Sequence, residues 1–208
     1  MTADTIFDAA SLTKVIATAP AIALLDEQGK LGLDERVEKW IPGFKKNGKG
    51  AVTIRHLLTH TSGLRPGLSP RPEWSGVSTA IDKAKAEPLT EQPDTKFIYS
   101  DINFILLGEI VRLVSGERLD LFVSKNIFQP LGMTDTGFLQ PLAKRDRIAT
   151  TEQVGEMILH GEVHDPTARR MGGVAGHAGL FTTAADLGRF ANMMLNGGSL
   201  EGRRVFKK

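Results

Sequence analysis

Ser11 and Lys14 stand three positions apart in Phe7-Asp8-Ala9-Ala10-Ser11-Leu12-Thr13-Lys14-Val15-Ile16-Ala17-Thr18. On an α-helix that spacing puts both side chains on one face. A serine hydroxyl is a weak nucleophile until a neighbour takes its proton. A lysine can do so only if its pKa falls from about 10.4 toward neutrality, a shift of about three units or ~4 kcal/mol. Burial beside apolar residues, with a second cation near, is the usual route, and Ala9, Ala10, Val15 and Ile16 offer an apolar wall. The same pattern also describes an N-cap serine followed by a solvent-facing lysine. Alone, Ser-x-x-Lys carries little weight.

The element that must carry this pair is a helix from Ser11 to about Gln28, with Gly29 in the C′ position that favours glycine. Pro20 falls inside it and is expected to bend it or remove a hydrogen bond. Thr53 to Gly63 reads as a short capped helix, residues 65–76 as a Pro/Gly/Ser-rich loop, and Ser78 to Glu87 as a modest helix. The clearest amphipathic helix follows Tyr99-Ser100-Asp101, with Ile102, Ile105, Leu106, Ile110 and Leu113 at helical spacing and Gly116 as the stop. Glu117 to Phe128 is a further helix, and Thr183-Ala184-Ala185-Asp186 is a capping box opening another as far as Gly197-Gly198. Residues 132–182 are glycine-rich and irregular. No run of alternating β-branched residues exceeds a few positions, so the pattern is a mainly helical domain with long ordered loops.

Composition removes several classes of function. Hydrophobic residues make up 41% of the 208, enough for a genuine core, and no apolar run reaches membrane-spanning length. The formal charge of +2 is close to balance, and Gly202 to Lys208 is the one basic run, so the basic, aromatic-interleaved face of a nucleic-acid binder is lacking. With no cysteine there is no disulfide, thiolate metal site or cysteine nucleophile. No signal peptide is visible and the compartment stays open, but Ser11 lies so near the first residue that the natural beginning is suspect.

Other chemistry-bearing groups fare less well. His160 and His164, with Asp165 beside them, have a spacing that binds zinc on a helix, which would make a zinc hydrolase. Gly161 and Pro166 argue against that helix, so the reading favoured here is a loop that lines or caps a cleft. His56 and His60 are also four apart and are read as hydrogen-bonded structural residues, and Ser62 as a turn residue. No Gly-x-Ser-x-Gly elbow is present. Gly172-Gly173-Val174-Ala175-Gly176 lacks the strand and helix of a dinucleotide-binding loop. Trp40, Trp74, Met193 and Met194 read as core.

With Ser11-x-x-Lys14 opening one helix and Tyr99-Ser100-Asp101 at the mouth of another, the chain resembles the serine β-lactamase and penicillin-binding-protein superfamily. It is most similar to the class C β-lactamases and the esterases that share their fold. Phe7 to Leu33 resembles the family's nucleophile helix, and Val52 to Leu64 its TIRHLLTHTSGL segment. Phe97 to Gly116 resembles the second-motif region, and Phe128-x-Pro130-Leu131-Gly132-Met133 the turn after it. Gly173 to Asn196 resembles the segment that closes the helical domain.

The resemblance implies an α+β fold of the β-lactamase/transpeptidase type, of which residues 1–208 are a single domain fragment: the nucleophile helix and helical subdomain, lacking most of the antiparallel sheet and truncated at both ends. It implies a serine hydrolase acting through an acyl-enzyme on an ester, β-lactam or D-amino-acid peptide carbonyl. Ser11 is then the nucleophile, Lys14 and Tyr99 handle its proton, and Asp101 orients the network or a substrate amide. No metal or organic cofactor is implied, and relatives are often periplasmic or secreted. Asp101 stands where the family usually has Asn, and a carboxylate beside Lys14 would favour the charged amine and move base duty toward Tyr99. The family's third motif is Lys- or His-x-Gly on a late strand. Gly176-His177-Ala178-Gly179 offers His-x-Gly without that strand, so His177 is read as a decoy. One oxyanion donor is the Ser11 N–H; the second belongs to a strand the chain lacks, and losing one donor costs about 10²–10³ in rate. The rival reading from another class is a non-catalytic helical module serving as an interaction surface.

Overall fold

The computed structural model describes residues 1–207; Lys208, the end of the basic run, lies outside them. Strand β1 (Phe7–Asp8) leads into the Ser11 segment, whose entry is wound by three successive i→i−3 hydrogen bonds: Leu12 N–H to Ala9 O, Thr13 N–H to Ala10 O and Lys14 N–H to Ser11 O. A π-helical turn over Lys14–Thr18 follows and runs into α1 (Ala19–Glu27). The expected α-helix from Ser11 is therefore three windings in series. Tight i→i−3 turns eclipse side chains three apart, which places Lys14 over Ser11 more closely than α-winding would. Pro20 sits in the first turn of α1, directly after the π-turn, so it falls where the winding changes rather than inside a regular α-helix.

Next come α2 (Ile54–Leu58), α3 (Val77–Ala86) and α4 (Asp101–Ser115). Thr53 and His56 form a reciprocal capping box on α2. Gly116 ends α4 in the left-handed region, at φ +75°. Ile102, Ile105, Leu106 and Ile110 of α4 are buried as its periodicity predicts. Leu113 is 41% exposed instead, because the helix turns Leu107 and Val111 inward. Helix α5 (Leu119–Val123) continues as a second π-turn over Ser124–Phe128.

The 132–182 region is mostly irregular, holding the small ribbon β2 (Gln153–Val154) and β3 (Met157–Ile158), then α6 (Pro166–Arg170) and β4 (Phe181–Thr182). Strand β4 pairs antiparallel with β1, Phe7 opposite Thr182, so the chain just before Ser11 lies against the chain just after Gly179. Helix α7 (Ala184–Leu195) and the hairpin β5 (Ser199–Leu200) and β6 (Arg203–Arg204) complete the order. The capping box expected at α7 is half formed: Thr183 Oγ1 accepts from the Asp186 N–H. The Asp186 carboxylate turns away to accept from Asp135 N–H and Thr136 Oγ1.

One continuous buried cluster, running from Ile6 through α1, α2 and α4 to Phe181, underlies all of this. Trp74 and Met193 belong to it, Trp40 packs at its edge, and Met194 is 56% exposed. The architecture is α+β, helical with little sheet. Among the described residues no helix is long and apolar enough to cross a membrane.

Candidate active site

Ala10, immediately before Ser11, adopts φ +45°, a left-handed conformation that costs a non-glycine residue energy and persists only where neighbours enforce it. One enforcing contact is local and one comes from far along the chain. Asp8 Oδ1 accepts from the Ala10 N–H at 2.8 Å, and the Ala9 N–H donates to Leu180 O at 2.8 Å. The result lifts Ser11 to the surface while Thr13 and Lys14 go inside. Among the described residues nothing accepts a hydrogen bond from the Ser11 N–H, which is left open beside its own hydroxyl.

Lys14 is 3% exposed, and its amine is surrounded by three oxygens. Nζ donates to Ser11 Oγ at 2.9 Å and to the His177 carbonyl at 3.0 Å. Asp101 Oδ1 lies 2.8 Å away as an ion pair outside hydrogen-bond alignment. Of the apolar wall expected around the amine, Ala9 and Ile16 are buried but Ala10 and Val15 are exposed. Aromatic rings take that place: Nζ sits 4.9 Å from the Tyr99 ring centroid and 5.8 Å from that of Phe104. Such cation–π contact favours a cation near a ring face.

Tyr99 is brought there by His60, a residue that sequence reasoning left as merely structural. The Ile98 N–H donates to the His60 carbonyl at 2.8 Å and the Ser100 N–H to His60 Nδ1 at 3.0 Å, so His60 holds the backbone on both sides of Tyr99. Its ring stacks on the Tyr99 ring at 4.5 Å and packs against Phe97 and Phe104. Burial lowers the His60 pKa, and the charge of Lys14 lowers it further against a smaller opposing effect of Asp101. That keeps Nδ1 free to accept the Ser100 N–H. The Asn103 amide lies 3.4 Å from the same nitrogen, and its carbonyl accepts from Ser62 Oγ at 2.6 Å. Thus the His60-Thr61-Ser62 turn and the start of α4 form one polar brace. The visible signal was His60 in a turn beside a serine, but its partners are some forty residues away.

Asp101 opens α4, its N–H bonded to Pro66 O at 2.7 Å. The structure therefore brings Ser11, Lys14, Tyr99 and Asp101 together. It does not bring His160, His164 and Asp165 together as the zinc reading required. His160 Nε2 contacts Arg145 O, the His164 ring lies 3.4 Å from Glu152, and Asp165 pairs with His177 Nε2 at 2.9 Å. Gly161 takes φ +78° and breaks the helix on which i, i+4 ligands depend. A different combination, Asp101, Asp165 and His177, places donor atoms within 4.8 Å of one another. Each is already engaged, Asp101 by Lys14 and Asp165 by His177, so the cluster is a network of side-chain contacts as it stands. His177 has no strand beneath it and its ring faces Asp165; what reaches Lys14 is its carbonyl. A cavity of roughly 610 Å³ lies between α3, α4 and the 171–176 loop, but none of Ser11, Lys14, Tyr99 or Asp101 lines it.

Chemically, a buried amine on a surface hydroxyl, with an open N–H at the same residue, is an arrangement that can generate an alkoxide and receive a developing oxyanion. The family model described as Beta-lactamase matches residues 1–208. A protein of Escherichia coli (strain K12) named "Putative D-alanyl-D-alanine carboxypeptidase" is 38% identical over a 235-residue alignment covering 99% of this chain and 54% of that protein. The chain thus spans about half the length of the curated relatives it matches. A penicillin-binding protein homolog from Caulobacter crescentus superposes with a TM-score of 0.80 at 26% identity, covering 98% of this chain and 59% of that one. A class C beta lactamase from Rhodobacter sphaeroides shares the fold, with a TM-score of 0.79 at 24% identity over 97% of this chain and 55% of its own. The strained entry to Ser11, the buried Lys14 beneath it and a match over the full length lead to one conclusion: the chain belongs to the β-lactamase family.

Proposed function

We propose that this chain carries the nucleophilic half of a serine hydrolase that works through an acyl-enzyme on an ester, β-lactam or D-amino-acid peptide carbonyl. The observation that carries the reading is the buried Lys14 amine at 2.9 Å from Ser11 Oγ. A neutral amine has two N–H bonds and one lone pair. As the base, the amine keeps one N–H on the His177 carbonyl and turns its lone pair to the Ser11 hydroxyl in place of the N–H that it donates there at rest. The Ser11 oxygen attacks the carbonyl carbon as its proton passes to Lys14 or, through it, toward Tyr99. The Ser11 N–H donates to the oxyanion. Collapse of the tetrahedral adduct breaks the bond to the leaving group, which takes the proton back, and water then releases the acyl group by the same steps. Asp101 serves as counter-ion to Lys14 once the amine has taken the proton. The carboxypeptidase name of the Escherichia coli relative and the penicillin-binding protein homolog favour a D-amino-acid peptide or β-lactam acyl donor over a simple ester.

The test is covalent labelling with a fluorescent penicillin and a fluorophosphonate. Labelling at Ser11, abolished in Ser11→Ala, is the expected result. Tyr99→Phe keeps the stack on His60 and removes only the phenol, and should slow labelling by about 10²–10⁴ if that group handles the proton. Absence of labelling by either reagent in the folded chain would leave the non-catalytic module as the better account.

A further inference from the structure

The nucleophile segment leans on residues 176–180, and four hydrogen bonds join them. The Ala9 N–H donates to Leu180 O at 2.8 Å, and the Leu180 N–H to Thr13 Oγ1 at 3.1 Å. Lys14 Nζ donates to His177 O at 3.0 Å and Thr18 Oγ1 to Gly176 O at 2.7 Å. On its other side Gly176 touches α4, with no room for a side chain. What remains to be held is the peptide between His177 and Ala178, whose carbonyl oxygen meets the amine.

The His177 side chain holds it from behind. The ring is 1% exposed and Nε2 donates to Asp165 Oδ1 at 2.9 Å. Asp165 is fixed in turn as the N-cap of α6, accepting from the Ala168 N–H at 2.7 Å. Its carboxyl sits at about 2: burial pushes it up, but the hydrogen bond and charge of His177 and the helix N–H groups outweigh that. It therefore stays ionised and accepting over the working range. We propose that Asp165 and His177 are positioning residues for the Ser11–Lys14 pair: together they fix the carbonyl that takes one Lys14 N–H and so aim the amine at Ser11. An amine on a flexible four-carbon stem has no orientation of its own. Remove the fixed acceptor and the lone pair no longer points one way.

The inference rests on the role given to Lys14 above, and its test separates the two. Asp165→Ser keeps a helix cap but is too short to reach His177, whereas Asp165→Asn keeps both the cap and the acceptor. In the full chain with ¹³C,¹⁵N-lysine, assigned through Lys14→Arg, Asp165→Ser should displace the Lys14 Cε/Nζ resonances and slow penicillin labelling by about 10–10²-fold. Asp165→Asn and His177→Gln, whose amide N–H replaces Nε2–H, should restore both. A merely structural histidine would leave the Lys14 resonances in place, and that result, or equal impairment in Asp165→Asn and Asp165→Ser, would overturn the proposal. Wild-type chain that fails to label refutes the hydrolase reading instead, while the Lys14 resonances still decide this one.

Discussion

Gly176→Ala adds one methyl group at the point where the 176–180 segment meets α4. The new Cβ would lie 1.9 Å from the Phe104 carbonyl oxygen and 3.0 Å from the Gly108 nitrogen, both backbone atoms of a packed helix that cannot swing aside. A C···O contact is tolerable from about 3.3 Å, so roughly 1.4 Å of separation has to be found. Moving the segment away from α4 by that amount strains or breaks the 2.7 and 3.0 Å bonds that Thr18 and Lys14 make to the Gly176 and His177 carbonyls. Overpacking of this kind costs about 1–3 kcal/mol, here at the upper end because both neighbours are backbone. A displacement near 1 Å at a catalytic contact costs on the order of 10²-fold in rate. Urea unfolding gives the first quantity, and penicillin labelling of the folded fraction the second. Gly108→Ala is the graded control: its Cβ would meet Gly176 Cα at 3.1 Å, so the loss should have the same sign and be smaller. A Gly176→Ala chain with an unchanged urea midpoint and wild-type labelling would refute the packing argument and, with it, the place given to the His177 carbonyl.

Two further predictions concern stability alone. The hydrogen bond from Arg147, with help from Lys144, holds the Asp135 carboxyl at about 2 against an ordinary 3.8. A depressed folded pKa stabilises above the unfolded value and loses that stabilisation as pH falls from 3.8 toward 2. Urea midpoints should therefore fall over that window, and the slope should flatten in Asp135→Asn; an identical slope would show that the pair contributes nothing. Gly188 lies inside α7 with nothing within 4 Å of a built Cβ and no positive φ. Gly188→Ala should thus raise stability by about 0.5–1 kcal/mol, seen as a higher melting temperature, and a lower one would contradict the helix assigned there.

Much of this architecture was legible in local pattern. The periodicity of residues 101–115, the Thr53 and Thr183 caps and the stop at Gly116 each act within one helical turn, so their residue types alone decide them. The Ser11–Lys14 contact is local too, three residues apart, although the winding that makes it so close is not the α-helix that spacing suggests. Three features came only with the tertiary structure. Tyr99 reaches Lys14 because His60, about forty residues earlier, holds its backbone and its ring. The oxygen that completes the amine's surroundings belongs to the main chain of His177, and a carbonyl has no signature in a residue string. Asp165 leaves His164, its neighbour in sequence, for His177, because a buried imidazole needs an acceptor and the cap of α6 presents one. Hydrogen bonds between distant segments depend on how the loops close over the core, and that is settled by packing rather than by spacing.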